Sequence, residues 1–136
     1  MTMRALLGAT SEELERLGFN SFDMGLLTIR EVETRTFDLV DLRIADQTGT
    51  CLFIVESQTN QAATVQPFGS RVEMPGSDRM QYEIGPARAL PVREQIAIEV
   101  PLTDSWFPYL GLSVSFLLAP TLGNVHATAI YIARKG

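Results

Sequence analysis

The clearest pattern in the chain lies near its end. Leu110-Gly111-Leu112-Ser113-Val114-Ser115-Phe116 alternates apolar with small or polar residues, the period of two that marks a strand with one buried face. Ala119-Pro120-Thr121-Leu122-Gly123-Asn124 follows. It supplies a turn, because proline fixes φ and glycine and asparagine accept positive φ. Residues 125–133 then run as a second strand, rich in Val, Thr, Ile and Tyr, which suit a pleated surface. The spacing predicts that these two strands form one hairpin.

The same period recurs upstream. Residues 26–33 predict a first strand and 36–44 a second. In the second, Phe37 and Leu39 share one face while Val40, Leu42 and Ile44 share the other. Such a phase slip marks a bulge or a crossing between sheets. Residues 46–49 predict a turn. Residues 50–56 are apolar on both faces, as in a central strand. Short strands are predicted at 63–68 and 71–74 around Gly69, then a turn at Pro75-Gly76-Ser77-Asp78. Residues 80–84 and 94–100 alternate cleanly, while 87–92, with Pro91, reads as irregular.

One segment carries helical signals. Thr10 or Ser11 can cap, and Glu13 stands three residues after Thr10, as in a capping box. Leu14 and Leu17 share a face, and Gly18 is a suitable stop. A helix of about two turns is stable only when docked. It either lids one end of the β core or docks on a neighbouring subunit. The expected organisation is an N-terminal arm and short helix over 1–22 and a β-sandwich over 23–136. The expected fold is all-β: a jelly-roll-like β-sandwich of about eight strands with one short N-terminal helix.

Composition narrows the function. The 136 residues suffice for one domain with its own core. A net charge of −5, with scattered cations, argues against nucleic-acid binding. No segment approaches the roughly 18 apolar residues of a membrane helix. Ala5-Leu6-Leu7-Gly8-Ala9 is shorter than the roughly 7–15 apolar residues of a secretory signal, so use without secretion is expected. Cys51 is the single cysteine and lies in an apolar strand, where it reads as a small hydrophobe. His126 is the single histidine, expected to point outward. A zinc or cupin-type site needs more ligands than these. The carboxylate pairs Glu31/Glu33 and Asp38/Asp41 read as solvated faces, and the serines of 111–115 do not form a nucleophile elbow. Neither an enzyme nor a cofactor is expected.

What remains is surface. Trp106-Phe107-Pro108-Tyr109 packs three aromatics into four residues. They either cap the end of the sandwich or form a contact patch, since Trp and Tyr are enriched at interface hot spots.

The order of elements over 23–133 resembles the small jelly-roll decoration, or cement, proteins of tailed-phage capsids. The residues that carry the resemblance are Ile96-Ala97-Ile98-Glu99-Val100-Pro101, then Pro108-Tyr109-Leu110-Gly111-Leu112, then Gly123-Asn124-Val125-His126-Ala127. The family often carries Arg after Tyr-Leu, where this chain has Gly111. Residues 1–22 have no counterpart in it. The resemblance implies a virion protein, made in the host cytoplasm, that binds the major capsid protein on the outside of the head. It also implies a homo-oligomer, a dimer or trimer. Candidate contact residues are then Met1, Met3, Leu6 and Leu7 of the arm and Trp106, Phe107 and Tyr109. The alternative is a carbohydrate-binding or receptor-binding module that stacks those aromatics on sugars.

Overall fold

A computed structural model describes residues 20–42, 49–71, 81–102 and 107–132. The expected arm and helix, residues 46–48 of the expected turn, the strand at 71–74 beyond Arg71, the turn at 75–78 and Trp106 lie outside these residues. Within them the chain is all-β. Its ten strands are β1 (Asn20–Leu27), β2 (Thr34–Thr36), β3 (Val40–Asp41), β4 (Thr50–Ser57), β5 (Ala63–Ser70), β6 (Gln81–Glu83), β7 (Arg88–Leu90), β8 (Gln95–Pro101), β9 (Tyr109–Phe116) and β10 (Val125–Ile132). They form two antiparallel sheets, stacked as a β-sandwich. Sheet A, of four strands, has the order β1-β10-β4-β8. Sheet B, of six, has the order β2-β9-β5-β6, with β3 also on β9 and β7 also on β5.

The expected hairpin is not one. β9 pairs with β2, β3 and β5 in sheet B, while β10 pairs with β1 and β4 in sheet A. Residues 117–124 therefore arch from one sheet to the other. Leu110, Leu112, Val114 and Phe116 of β9 and Val125, Ala127 and Ala129 of β10 belong to the same buried core. A two-residue turn would lay the strands side by side. The longer link, with Pro120 buried, lets them face each other across the roughly 10 Å between stacked sheets.

The first strand also differs. β1 starts at Asn20, taking in the last residues of the expected arm, and ends at Leu27. Residues 28–33 form a loop rather than the strand expected at 26–33. β1 keeps its pairing to β10 through a bulge between Asp23 and Gly25, where Gly25 has φ 106° and its N–H donates to Asp23 Oδ1 at 2.9 Å. The phase slip in the second strand is a break: β2 and β3 both pair with β9, and Phe37 N–H still donates to Leu112 C=O at 3.0 Å, but the register shifts by one residue across 38–39. The two irregularities meet. Asp38 N–H donates to Met24 C=O at 3.0 Å, closing one side of the sandwich. Elsewhere β5 runs unbroken through Gly69, and the irregular stretch at 87–92 contains the short strand β7.

The core lies between the sheets. Phe53, Val55, Val65, Leu90, Ile98 and Leu112 are among its buried residues, each contributing roughly 1.5–3 kcal/mol by leaving water. The outward faces differ. Sheet B presents Thr64 and Gln66, opposite Ser115 and Ser113. Sheet A presents a second apolar cluster built on Leu52 and Ile130, with Ile54, Ala97 and Ile132 against it.

Candidate functional site

The register places four loops at one end of the sandwich: 28–33, 58–62, 91–94 and 117–124. Leu27 faces Val125, which faces Ser57. Glu56 faces Gln95, and Ala63 faces both Phe116 and Leu90. Exposed aliphatic side chains gather here. Leu117 is 90% exposed, Leu118 65%, Leu122 46%, and Val32 on the neighbouring loop 64%. One exposed leucine needs no explanation, but a cluster of them does. Burying a leucine stabilises by roughly 1.5–3 kcal/mol, a gain this end forgoes until something covers it.

These loops are tied down. Arg30 Nη1 donates to Gly123 C=O at 2.8 Å and to Ile29 C=O at 3.0 Å, which joins the Val32 loop to the leucine loop. Asn60 Nδ2 donates to Thr121 Oγ1 at 2.8 Å, and Thr121 N–H donates back to Asn60 Oδ1 at 3.0 Å. Gln58 N–H donates to Asn124 C=O at 2.8 Å. Gly123 has φ 80°, and a Cβ there would collide with the Gln58 carbonyl. Below them Ser57 and Thr59 are buried, their hydroxyls 3.1 Å apart, with Thr59 Oγ1 donating to Gln61 C=O at 2.8 Å. The exposed leucines and Val32 thus stand among exposed Arg30, Glu31, Arg93 and Glu94, on loops held in place before any partner arrives, which lowers the ordering cost of binding.

The aromatics singled out in the sequence lie at the opposite end and are turned to packing. Tyr109 is buried, opposite Ser70 and Asp41 in the register. Phe107 is half-buried, lies directly over Gly69, and stacks on Tyr82 with ring centroids 5.4 Å apart and planes at 22°. Tyr82 itself is exposed, with the Arg71 guanidinium 5.9 Å from its ring centroid. The other candidates, Met1, Met3, Leu6, Leu7 and Trp106, lie outside the described residues. Leu117, Leu118, Leu122 and Val32 were not singled out. Their one sequence signal is the Leu117-Leu118 doublet, which breaks the alternation of β9 just before the turn.

The carboxyl and the thiol whose pKa the fold shifts, Asp23 and Cys51, sit elsewhere. His126 Nε2 donates to Asp23 Oδ1 at 2.8 Å on the outward side of sheet A. The N–H of Gly25, and then His126, hold the Asp23 carboxyl below its ordinary value of 3.8. Cys51 is buried, and loss of water pushes its thiol up to about 12, so it stays protonated and inert. A cleft of about 240 Å³ runs beside β8, with Arg88 and Glu99 among its lining residues. It is smaller than the roughly 300–1,000 Å³ of ordinary small-molecule sites.

Compared with models of known protein families and with curated proteins, the chain has no significant match among either.

Proposed function

We propose that this chain is a capsid decoration protein of the jelly-roll type, which docks on the outside of a phage head through its aliphatic loop end. The carrying observation is the cluster of Leu117, Leu118, Leu122 and Val32 on loops fixed by Arg30, Asn60 and Thr121. Rigid exposed aliphatic surface suits adhesion to another protein.

The pairing pattern supports the jelly roll. With β2/β3 and β6/β7 each counted as one interrupted strand, the chain folds back on itself in nested pairs. β1 lies against β10, β2/β3 against β9, β4 against β8, and β5 against β6/β7. Rolling such a nested hairpin so that its halves stack produces a jelly roll. The capsid as partner, and action as a dimer or trimer, come from the family resemblance.

The mechanism is mass action. A protein that binds the assembled shell and not free coat subunits stabilises the shell by RT ln(1 + [L]/Kd), about 2.7 kcal/mol at a hundredfold excess over Kd. Phage heads assembled without their decoration protein should disrupt at higher temperature when saturated with this chain. An unchanged disruption temperature, with binding confirmed absent by co-sedimentation, sinks the proposal. Tight binding to one glycan class on an array, without capsid binding, would favour the carbohydrate-binding alternative.

A further inference from the structure

We propose that the outer edge of β8 pairs with β8 of a second copy of this chain, antiparallel about a two-fold axis at Ala97. The two sheets have four edges, and three of them are blunted in the ways that discourage pairing. β1 is bent by the bulge between Asp23 and Gly25. β2 and β3 are short and interrupted between Thr36 and Val40, and β6 and β7 are short and separated at Gly85-Pro86. β8 runs unbroken over Gln95–Pro101 and, among the described residues, pairs with β4 alone. Gln95, Glu99 and Pro101 are exposed, and the cleft bordered by residues 98–101 leaves open space beside that half of the strand.

The pairing to β4 fixes which backbone groups face outward. Glu94 C=O accepts from Ser57 N–H at 2.9 Å, and Leu102 N–H donates to Gly49 C=O at 3.0 Å. Even-numbered residues therefore turn to β4, and the N–H and C=O of Gln95, Ala97 and Glu99 turn to the outer side. A two-fold axis at Ala97 sets Ala97 opposite its own copy and Gln95 of each chain opposite Glu99 of the other. Each of these pairs exchanges two backbone hydrogen bonds. The Gln95 amide already donates to Glu56 Oε2 at 3.3 Å, and its second N–H can donate to the Glu99 carboxylate across the axis. Rival registers lose by comparison. A slip of two residues one way sets Pro101, which has no N–H, opposite Gln95. The same slip the other way sets Glu99 opposite Arg93, whose φ of 56° takes the chain out of the strand. A slip of four sets Glu99 against Glu99, like charges directly opposite. This self-complementarity commits the edge to a second copy. β8 starts at the aliphatic loop end, so the two copies point those ends in opposite directions. One dimer then offers docking ends to two coat subunits, a consequence that rests on the proposed docking role; the pairing itself does not.

The test is amide exchange of the full chain, read residue by residue along a dilution series, with sedimentation equilibrium on the same samples. The N–H groups of Ile96, Ile98 and Val100 should stay protected throughout by β4. Those of Gln95, Ala97 and Glu99 should be protected in the dimer and lose protection in step with its dissociation. Protection of these three that ignores dilution overturns the proposal, because the cover then comes from the same chain. A dimer that leaves them unprotected, or a chain monomeric at every concentration, overturns it too. Ala97→Pro removes the central donor, which does not bond to β4, and should give a folded monomer. If that variant does not fold, charge decides. Gln95→Lys should tighten the dimer and Gln95→Lys/Glu99→Lys should loosen it, with at least about fivefold between their Kd values. Equal Kd values overturn the proposal. Capsid binding is read separately, so the dimer and the docking role fail independently.

Discussion

The two ends of the sandwich handle apolar residues in opposite ways. At one end Tyr109 is buried and Phe107 lies over Gly69, stacked against Tyr82. At the other, Leu117, Leu118, Leu122 and Val32 stand in water on loops held by side-chain hydrogen bonds. The aromatic end spends its apolar surface on stability. The aliphatic end withholds it while fixing its shape. Residue type alone points to the wrong end, because aromatics are enriched both in cores and at interfaces. Burial separates the two roles.

Two glycines sharpen the contrast. Gly123→Ala should have the largest effect, since its φ of 80° disfavours a side chain and the Cβ meets the backbone of Gln58. A loss of roughly 2–4 kcal/mol in urea unfolding is expected, with weakened partner binding because the leucine loop shifts. Gly69→Ala pushes a Cβ into the Phe107 ring, a side chain that can yield. It should cost about 1–3 kcal/mol and leave binding unchanged. If Gly69→Ala harmed binding as much as Gly123→Ala does, the division of labour between the ends would collapse.

The smallest effect concerns acid. The Asp23 carboxyl titrates below 3.8 in the folded chain because Gly25 N–H and His126 hold its charged form. A carboxyl depressed on folding contributes stability that is present above the unfolded pKa and is lost as pH falls through the folded one. Asp23→Asn should therefore lower stability slightly near neutrality, where the charged carboxyl contributes, and flatten the loss as pH falls below 3.8, so that the two proteins converge in acid. The group is solvent-exposed, so the difference is small. Unfolding curves of the two proteins across pH 2–5 measure it, and a steeper acid loss in the variant would contradict the assignment.

Much of the fold was legible because alternation reports burial. β4, β8, β9 and β10 sit within a residue or two of where the pattern puts them, and the slip at Leu39/Val40 falls on the break between β2 and β3. Alternation says which face a strand buries and is silent about which strand lies beside it. That is why β9 and β10 read as a hairpin although they lie in different sheets. β1 was misplaced for a related reason: its bulge at Met24 shifts the period partway along, and the strand pattern resumes misleadingly in the loop at 28–33. The site was the least legible part. A leucine doublet beside a turn carries no chemical motif, and only the two-sheet arch around Pro120 turns it outward.

The most direct test of the adhesive role is a binding isotherm on phage heads that lack their decoration protein, comparing the parent chain with Leu117→Asp/Leu118→Asp. Both side chains are exposed, so the unfolding free energy should stay within about 0.5 kcal/mol of the parent. The account predicts saturable binding by the parent and a loss of about 2 kcal/mol or more in the variant, roughly thirtyfold in Kd. Equal affinity of the two folded proteins for the heads would contradict it.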